Sequence, residues 1–475
     1  MFYFEVLLQQ DVKVTKKFRI FYPRFKHTCE NLSVHGPNYL VRNDINFVYK
    51  FIYFIIYVSV WVAAIASIYK YILAYQEDTI RFTTRTDYLD WNTTFPAVTV
   101  CEIAEIDKIL NNVQKLEQDP EDEDKMLLFV KDIAFFSGDC QTCFMAEDSF
   151  PKSSKEFFNM SLTFRSECDE IFISCKWDDK PINCCQNFRP IQTEFGRCYS
   201  MNNNQINEKR TPYIVSSSKS RKLRTLEISL SQNYDAFLHA HEDVPYWNME
   251  YDRRATVLYG VKGSMYFSVL DIENEPEVFQ TTPDVRQCRF PDELPINYRG
   301  YRHYSYSVCI IHCRIEAQLE LCNCTSHLSP IEYSDRYCDL EGLKCLTKYY
   351  SKLKKLKVPG VNGTGLTCNC LSSCTEPDYN IIAKKLTEPD KELKAGTIKF
   401  ILTNRPYERV TRQIARTGLD LVVAMGNCFG LYFGGSLLSI VEVLYYLCFN
   451  HWPKFNNVLI IHTSSFDQLY VYEST

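Results

Sequence analysis

Two long apolar stretches stand out from an otherwise mixed pattern of polar and apolar positions. Residues 51–69 contain no charged side chain, and Lys50 and Lys70 bracket them. Their length is close to the roughly 20 residues that a helix needs to cross a bilayer. Residues 421–441 are also uncharged, and the apolar character continues past Glu442, the one acid within it. Both stretches predict membrane-spanning helices, because charge-free runs of this length disfavour the alternative of a buried core helix.

Two spans would place both termini on one side of the membrane and a large domain on the other. The first 50 residues carry eight Lys or Arg against four acids, a net +4 in a chain of -5. Because positively charged flanks stay inside, we expect cytoplasmic termini on a multi-pass protein of the plasma membrane. The predicted segments are a cytoplasmic N-terminus (1–47), a first membrane helix (48–74), an extracellular domain (75–419), a second membrane helix (420–449) and a cytoplasmic tail (450–475).

The region between the spans mixes two periodicities. Short runs rich in β-branched and aromatic residues predict strands, and longer runs with apolar residues three and four apart predict helices. The pattern therefore predicts an α+β domain. The strand-like runs are 95–103, 255–261, 265–272 and 397–404, and the helix-like runs are 124–136 and 306–322.

Cysteines are concentrated in this same region. Of the 21 cysteines, Cys29, Cys428 and Cys448 lie outside it, and the other 18 (21 minus 3) fall between Cys101 and Cys374. An even, dense set confined to one region is typical of a disulfide framework in an oxidising compartment. Zinc binding is disfavoured because the sequence lacks the combination of two CxxC motifs that is typical of zinc sites. Glycosylation sequons in the region are Asn92, Asn159, Asn323 and Asn362.

Four of these cysteines can form two rungs of a disulfide ladder. Cys309 and Cys313 lie four residues apart in a helix-like run, so they share a face of the helix. Cys368 and Cys370 lie two residues apart in a strand-like run, so they share a face of the strand. One helical turn rises about 5.4 Å and two strand residues about 6.6 Å. The hypothesis is a nested set of Cys288–Cys374, Cys309–Cys370 and Cys313–Cys368, with Cys322, Cys324, Cys338 and Cys345 nested within. Cys101 and Cys198 are also assigned to disulfides, and the pairing between 140 and 185 stays open.

Four groups of motifs follow one another between residues 29 and 449. They are SVHGPNYL (33–40), FPAVTVC (95–101), a cysteine series within 286–379 (RQCRFPDE, YSVCIIHC, LCNC and CNCLSSCTEPDY) and GGSLLSIVE (434–442). In that order they resemble the His-Gly motif, the segment after the first span, the thumb and palm cysteines and the pore motif of the degenerin/epithelial sodium channel family. The pickpocket branch of the family gives the nearest likeness.

The resemblance implies a trimer with a clenched-hand extracellular domain and a sodium-preferring pore that amiloride often blocks. The partners would be identical or related channel subunits, the lipid bilayer, and an extracellular stimulus or ligand that the sequence does not identify. Val423 matches a position that is usually small and where bulk holds the channel open. The residues implied are His35 and Gly36 for gating, Gly434, Gly435 and Ser436 for the selectivity filter, and Gly430, linked to amiloride block.

Glycines in the second apolar stretch have a physical use in such a pore. Gly434 and Gly435 allow a helix to break at little conformational cost, and irregular backbone at membrane depth is tolerated where it lines a cavity. Three copies would form a ring of carbonyls and Ser436 hydroxyls, which is the chemistry of ion selectivity. Three copies of Glu442, six residues further on, would concentrate cations. The alternatives are close helix packing through small residues four apart, and an acid at the membrane edge.

The remaining sequence bears on other classes of function. The net charge of -5 disfavours nucleic acid as a partner. No Ser-His-Asp set, P-loop or metal-protease motif occurs, so we expect no enzyme activity, no metal and no cofactor beyond permeant Na⁺. His239 and His241 are interpreted as a surface pair without function rather than a zinc or proton sensor. Two alternatives remain: a purinergic-type channel, which would lack FPAVTVC and the Gly-x-Ser motif, and a two-span lipid or scavenger receptor, which would need no glycine break.

Overall fold

The structure, a computed structural model, describes most of the chain between residues 26 and 448, in two compact units. We call Met1–Thr79 with Ala415–Thr475 the terminal unit, and Ile80–Ile414 the central unit. The predicted tail (450–475), much of the predicted N-terminus and the sequon at Asn362 lie outside the described residues. The described residues are 26, 29–30, 33–77, 80–86, 91–113, 120–145, 150–206, 213–216, 224–358, 360, 363–390, 392–403 and 408–448.

The helices and strands are numbered in chain order. The helices are α1 (Pro37–Val41), α2 (Phe47–Glu77), α3 (Ile106–Val113), α4 (Pro120–Ala134), α5 (Ser154–Thr163), α6 (Cys168–Ile171), α7 (Cys184–Asn187), α8 (Pro283–Arg286), α9 (Tyr306–Cys322), α10 (Leu340–Lys348), α11 (Tyr350–Lys354), α12 (Gly418–Phe433) and α13 (Leu437–Cys448). The strands are β1 (Ile80–Arg85), β2 (Asn92–Thr94), β3 (Ala97–Glu102), β4 (Phe172–Trp177), β5 (Lys180–Ile182), β6 (Arg189–Thr193), β7 (Gly196–Met201), β8 (Ile214–Ser216), β9 (Thr225–Leu230), β10 (Tyr234–His239), β11 (Arg254–Val257), β12 (Lys262–Asn274), β13 (Cys288–Arg289), β14 (Ser372–Ser373), β15 (Asp378–Leu386), β16 (Gly396–Leu402) and β17 (Arg409–Ile414).

The described part of the terminal unit is helical. Among the described helices, α2 alone is long and apolar enough to cross a membrane by itself, over Phe47–Gln76. Only 6% of its most apolar window is buried, so its apolar side chains face outward, as lipid-facing side chains do. Helices α12 and α13 meet the same test of length and apolarity only as a pair, bent by 73° at the break between them. The predicted second span therefore corresponds to two helices rather than one.

Two β-sheets occupy the middle of the central unit. The larger has the order β1-β17-β12-β16-β9-β4-β5, with β15 also paired to β12, and the smaller has the order β11-β10-β3-β7-β6. Met265, Phe267 and Val269 of β12 are buried while the residues between them are partly exposed, which is the period of two expected of a strand. Apolar side chains of both sheets, such as Val100 and Phe400, belong to one core.

Most strand and helix predictions are confirmed. The runs 95–103, 265–272 and 397–404 form β3, β12 and β16, and the two helix-like runs form α4 and α9. Helix α9 has the predicted bounds because the Ser305 hydroxyl caps its start, accepting from the Val308 N–H at 3.2 Å, and Asn323 ends it with φ 57°. The run 255–261 is a strand only to Val257, because the chain turns at Gly260 with φ 75°.

Nine disulfides join the 18 cysteines between Cys101 and Cys374. The ladder cysteines 368 and 370 lie outside the named strands, so the strand assumed for them is wrong, yet both pair with α9. The pairs in the nested order are Cys288–Cys374, Cys309–Cys370, Cys313–Cys368, Cys322–Cys345 and Cys324–Cys338, beside Cys101–Cys198. The pairs left open by the sequence are Cys140–Cys143, Cys168–Cys185 and Cys175–Cys184.

Candidate functional site

The break between α12 and α13 depends on two glycines. Gly434 ends α12 in the left-handed region with φ 60°, and its N–H donates to the Gly430 carbonyl at 2.9 Å. A Cβ on Gly435 would lie 2.1 Å from the ring of Phe429. A side chain would therefore strain the backbone at the first position and collide with a ring at the second. The glycines predicted for the filter are the residues that permit the helix to stop and turn.

Ser436 starts the helix on the far side of the break. Its backbone N–H donates to the hydroxyl of Ser439 at 3.1 Å, and the Ser439 N–H lies 3.4 Å from the Ser436 hydroxyl. This reciprocal pair is the arrangement of a capping box, in which each side chain satisfies an N–H that the helix start leaves unpaired. Ser436 is exposed in the single chain, whereas Ser439 is buried.

A short segment near the N-terminus packs directly on the break. The backbone N–H of His35 donates to the carbonyl of Phe433 at 2.9 Å, and the His35 ring is 3.2 Å from where a Cβ on Gly434 would lie. The segment is also fixed to α13. The N–H of Ser33 donates to Oε2 of Glu442 at 3.1 Å, and the hydroxyls of Ser33 and Ser439 are 2.9 Å apart.

Helix α2 packs against both the N-terminal segment and α12. Gly36 has φ 120°, a conformation that side chains rarely adopt, and a Cβ there would lie 2.5 Å from the Tyr57 ring. Further along α2, the Trp61 ring lies 4.4 Å from the ring of Phe433. The hydroxyls of Ser67 and Tyr432 are 3.1 Å apart.

Only some of the site residues predicted from the sequence lie in contact with one another. His35 and Gly434 are in contact, and Glu442 contacts the N-terminal segment at Ser33 rather than at His35 or Gly36. Val423 lies on α12 and is 51% exposed in the single chain. Ser33 and Ser439 were not predicted. The Ser-x-x-Ser spacing from Ser436 was a capping signal that could have identified Ser439.

Outside this region, His239 and His241 are buried, so their interpretation as a surface pair is wrong. The ring nitrogens of His239 lie 2.6 Å from the Thr99 hydroxyl and 2.7 Å from the Ala240 carbonyl oxygen, and burial lowers its pKa to about 4. His241 Nε2 lies 2.9 Å from the Phe95 carbonyl oxygen. The His239 ring therefore ties β10 to β3, and His241, two residues beyond β10, contacts the chain between β2 and β3. Within the described residues, no three His, Cys, Asp or Glu side chains form a metal-binding group.

Three of the four sequons can be located. Asn92, Asn159 and Asn323 are exposed on the central unit, and Asn323 ends α9. Asn92 lies in the short strand β2 and Asn159 in α5, and an exposed position can accommodate a bulky sugar without loss of packing. Glycosylation at these positions stays a prediction.

Comparison with known proteins gives a consistent set of matches. The family model described as "Amiloride-sensitive sodium channel" matches residues 28–446, which include both apolar stretches and all the disulfides. The chain is 23% identical over 477 residues to Sodium channel protein Nach of Drosophila ananassae, covering 92% of this chain and 89% of that one. It is 23% identical over 320 residues to Pickpocket protein 19 of Drosophila melanogaster (60% and 61%), and 22% identical over 311 residues to Acid-sensing ion channel 4-B of Danio rerio (59% and 52%).

Proposed function

Because the chain belongs to the amiloride-sensitive sodium channel family, we propose that it is a pore-forming subunit of a sodium-selective, amiloride-sensitive channel. Three subunits, identical or related, would surround a pore lined by α12 and α13 in the plasma membrane. Sodium would pass down its gradient, and the central unit would gate the pore from the outside. The observation that carries the proposal is the helix break at Gly434 with the His35 segment fixed against it.

A helix break supplies what a cation needs in order to shed its water. Carbonyls within a helix are occupied by hydrogen bonds, whereas those at a helix end are free to point at a ligand. Rings of such oxygens replace the hydration shell of a permeant ion. Gly434, Gly435 and Ser436 would supply carbonyl and hydroxyl oxygens from each subunit, and Glu442 would add negative charge beyond them.

A membrane anchor has no need of this arrangement. A helix that only holds a receptor in the bilayer keeps its backbone hydrogen bonds internal, since each unpaired group in hydrocarbon costs several kcal/mol. The two-span receptor therefore leaves the break and the intramembrane acid without a role.

The proposal is tested by voltage clamp of cells that express the chain alone, with surface delivery measured in the same cells. A large substitution, Val423→Trp, is included because the family resemblance implies that bulk there holds the pore open without a stimulus. We expect a sodium current that disappears when an impermeant cation replaces sodium and that amiloride blocks, with weaker block in Gly430→Ala. A surface-delivered Val423→Trp protein without sodium current would contradict a pore formed by this chain alone.

A further inference from the structure

Five lysines lie within ten residues on and after α10 and α11. We call Lys348, Lys352, Lys354, Lys355 and Lys357 the lysine cluster. The first four are exposed and the last is half-buried. Among the described residues no carboxylate forms an ion pair with any of them, although four other lysines of the central unit each have such a partner. The cluster is therefore a concentrated positive charge in a chain whose net charge is -5.

Three of these lysines follow one another closely along two short helices. Lys348 ends α10, Lys352 lies in α11 with only Tyr349 between the two helices, and Lys355 directly follows α11. We call these three lysines the row, because they fall within eight residues of the chain. Like charges at such short spacing repel one another. Cations at a helix C-terminus are favourable, but Lys355 and Lys357 lie beyond α11, so stabilisation of the helix ends does not explain the cluster.

Hydrogen bonds and a disulfide hold the backbone that carries the lysine cluster. The carbonyl of Leu353 accepts from Nε of the buried Arg314 at 2.9 Å, and the carbonyl of Lys354 accepts from Asn248 Nδ2 at 3.0 Å. The carbonyl of Lys355 accepts from the N–H of Leu366 at 2.8 Å. At the other end, the Cys322–Cys345 disulfide fastens α10 to α9. A charged surface held in place loses less conformational entropy on binding than a mobile one.

Two of the ammonium groups are also held by aromatic rings. Nζ of Lys348 lies 5.7 Å from the ring centre of Tyr349, and Nζ of Lys354 lies 4.8 Å from that of Tyr350. Contacts of this kind restrict a flexible side chain without neutralising its charge. The rings therefore keep the positive charges available to an anion from outside.

We propose that the lysine cluster binds a sulfated glycosaminoglycan chain. The nine disulfides indicate that the central unit folds in an oxidising compartment, where nucleic acids are not the available polyanion. Anionic lipids are concentrated in the cytoplasmic leaflet, on the opposite side. Short lysine-rich segments are typical of heparin-binding patches, and an ammonium group is a compact charge suited to a sulfate. The proposal does not depend on channel activity.

The test measures binding of the full-length protein, in detergent micelles, to immobilised heparin. The variant K348Q/K352Q/K355Q removes the row. The matched control K155Q/K180Q/K394Q removes the same charge from three exposed lysines that lie far apart in the sequence. Thermal unfolding of each protein shows whether the fold is kept. Desulfated heparin, polyglutamate and phosphatidylserine vesicles serve as competitors.

We expect the row variant to bind heparin about tenfold more weakly or worse, with less than about a twofold change in the control, because only clustered charges add their attraction at short range. Binding should weaken with added NaCl, and desulfated heparin should not compete. Equal loss in both variants, or unchanged binding in the row variant, would overturn the proposal. Stronger competition by polyglutamate or by the vesicles would also overturn it, in favour of an acidic protein or a membrane as the partner.

Discussion

The backbone N–H of His35 donates to the carbonyl of Phe433 across 2.9 Å. This bond joins a segment that precedes α2 to the last residue of α12, immediately before the break. A helix-end carbonyl needs a partner when water is absent, and the His35 N–H provides one. The conformation of the break is therefore coupled to the position of the N-terminal segment.

This coupling predicts the effect of Gly36→Ser. The serine would have to adopt φ 120°, and its Cβ would lie 2.5 Å from the Tyr57 ring, so the segment must move relative to α2 and strain the adjacent hydrogen bond from His35 to Phe433. We expect a lower open probability at unchanged surface expression, measured by single-channel recording and surface biotinylation. Gly363→Ser is the control, because a Cβ there meets no atom within 4 Å. Normal open probability in Gly36→Ser would show that the segment does not control the pore.

Glu442 has two separable contributions, charge and hydrogen bonding. Glu442→Gln keeps an oxygen that can accept from the Ser33 N–H but removes the charge, whereas Glu442→Asp keeps the charge and withdraws it from Ser33. If the acid concentrates cations, Glu442→Gln should lower single-channel conductance about two- to fivefold in low sodium and less in high sodium, because salt screens the field. Glu442→Asp should leave conductance nearly unchanged and alter gating. The opposite assignment of the two effects would refute the electrostatic role.

Local signals made much of the fold predictable. Helix α9 follows from apolar spacing between a serine cap and an asparagine stop, and β12 from alternation of buried and exposed positions. The disulfide ladder was predicted from cysteines four apart on one helix face and two apart further along the chain, and both rungs form although Cys368 and Cys370 lie outside the named strands.

Long-range partners were the part that the sequence could not supply. Ser33 and Glu442 are 409 residues apart, and neither has a pattern that indicates the other. Cys184 and Cys185 are adjacent, so spacing could not decide which of them pairs with Cys168. Residues 239–243 (HAHED) look polar enough for the surface, yet His239 and His241 are buried because the Thr99 hydroxyl and backbone carbonyls contact their ring nitrogens.

The disulfides predict a graded effect on stability. Closing a loop removes more entropy from the unfolded chain when the loop is longer, about 4.5 kcal/mol for some 80 to 100 residues and about 2 kcal/mol for three or four. The Cys101–Cys198 pair spans 97 residues, and the disulfides enclosed by it close loops of 17 residues or fewer, whereas Cys140–Cys143 spans three. Cys101→Ala/Cys198→Ala should therefore lower the Tm of the solubilised protein more than Cys140→Ala/Cys143→Ala. A larger effect of the short loop would show that local packing, not loop closure, sets the contribution.

A buried histidine predicts acid sensitivity of the fold. Nε2 of His327 is 2.9 Å from the Ile133 carbonyl oxygen, its Nδ1 has no hydrogen-bond partner among the described residues, and burial lowers its pKa to about 4. Because the unfolded chain takes up this proton near pH 6.5, stability should be full above that pH and fall by about 3 kcal/mol as the pH drops towards 4.

The measurement is chemical unfolding of wild type and His327→Gln at several pH values. Differences at pH 8, where the wild-type ring is neutral in both states, report the change in packing and are subtracted. The variant should then lose less stability than wild type between pH 6.5 and 4. Parallel curves for the two proteins would show that His327 does not bind the proton on unfolding.

The most direct test of the central claim is the reversal potential of currents through Ser436→Ala and Ser439→Ala in mixed sodium and potassium. Each substitution removes one bond of the reciprocal serine pair, and Ser439→Ala also removes the contact with Ser33, so Ser439→Ala disturbs the start of α13 at least as much as Ser436→Ala. If Ser436 contributes its oxygen to the filter, only Ser436→Ala will lower the preference for sodium. An unchanged reversal potential in Ser436→Ala, or an equal shift in both variants, would contradict a filter at Gly434–Ser436.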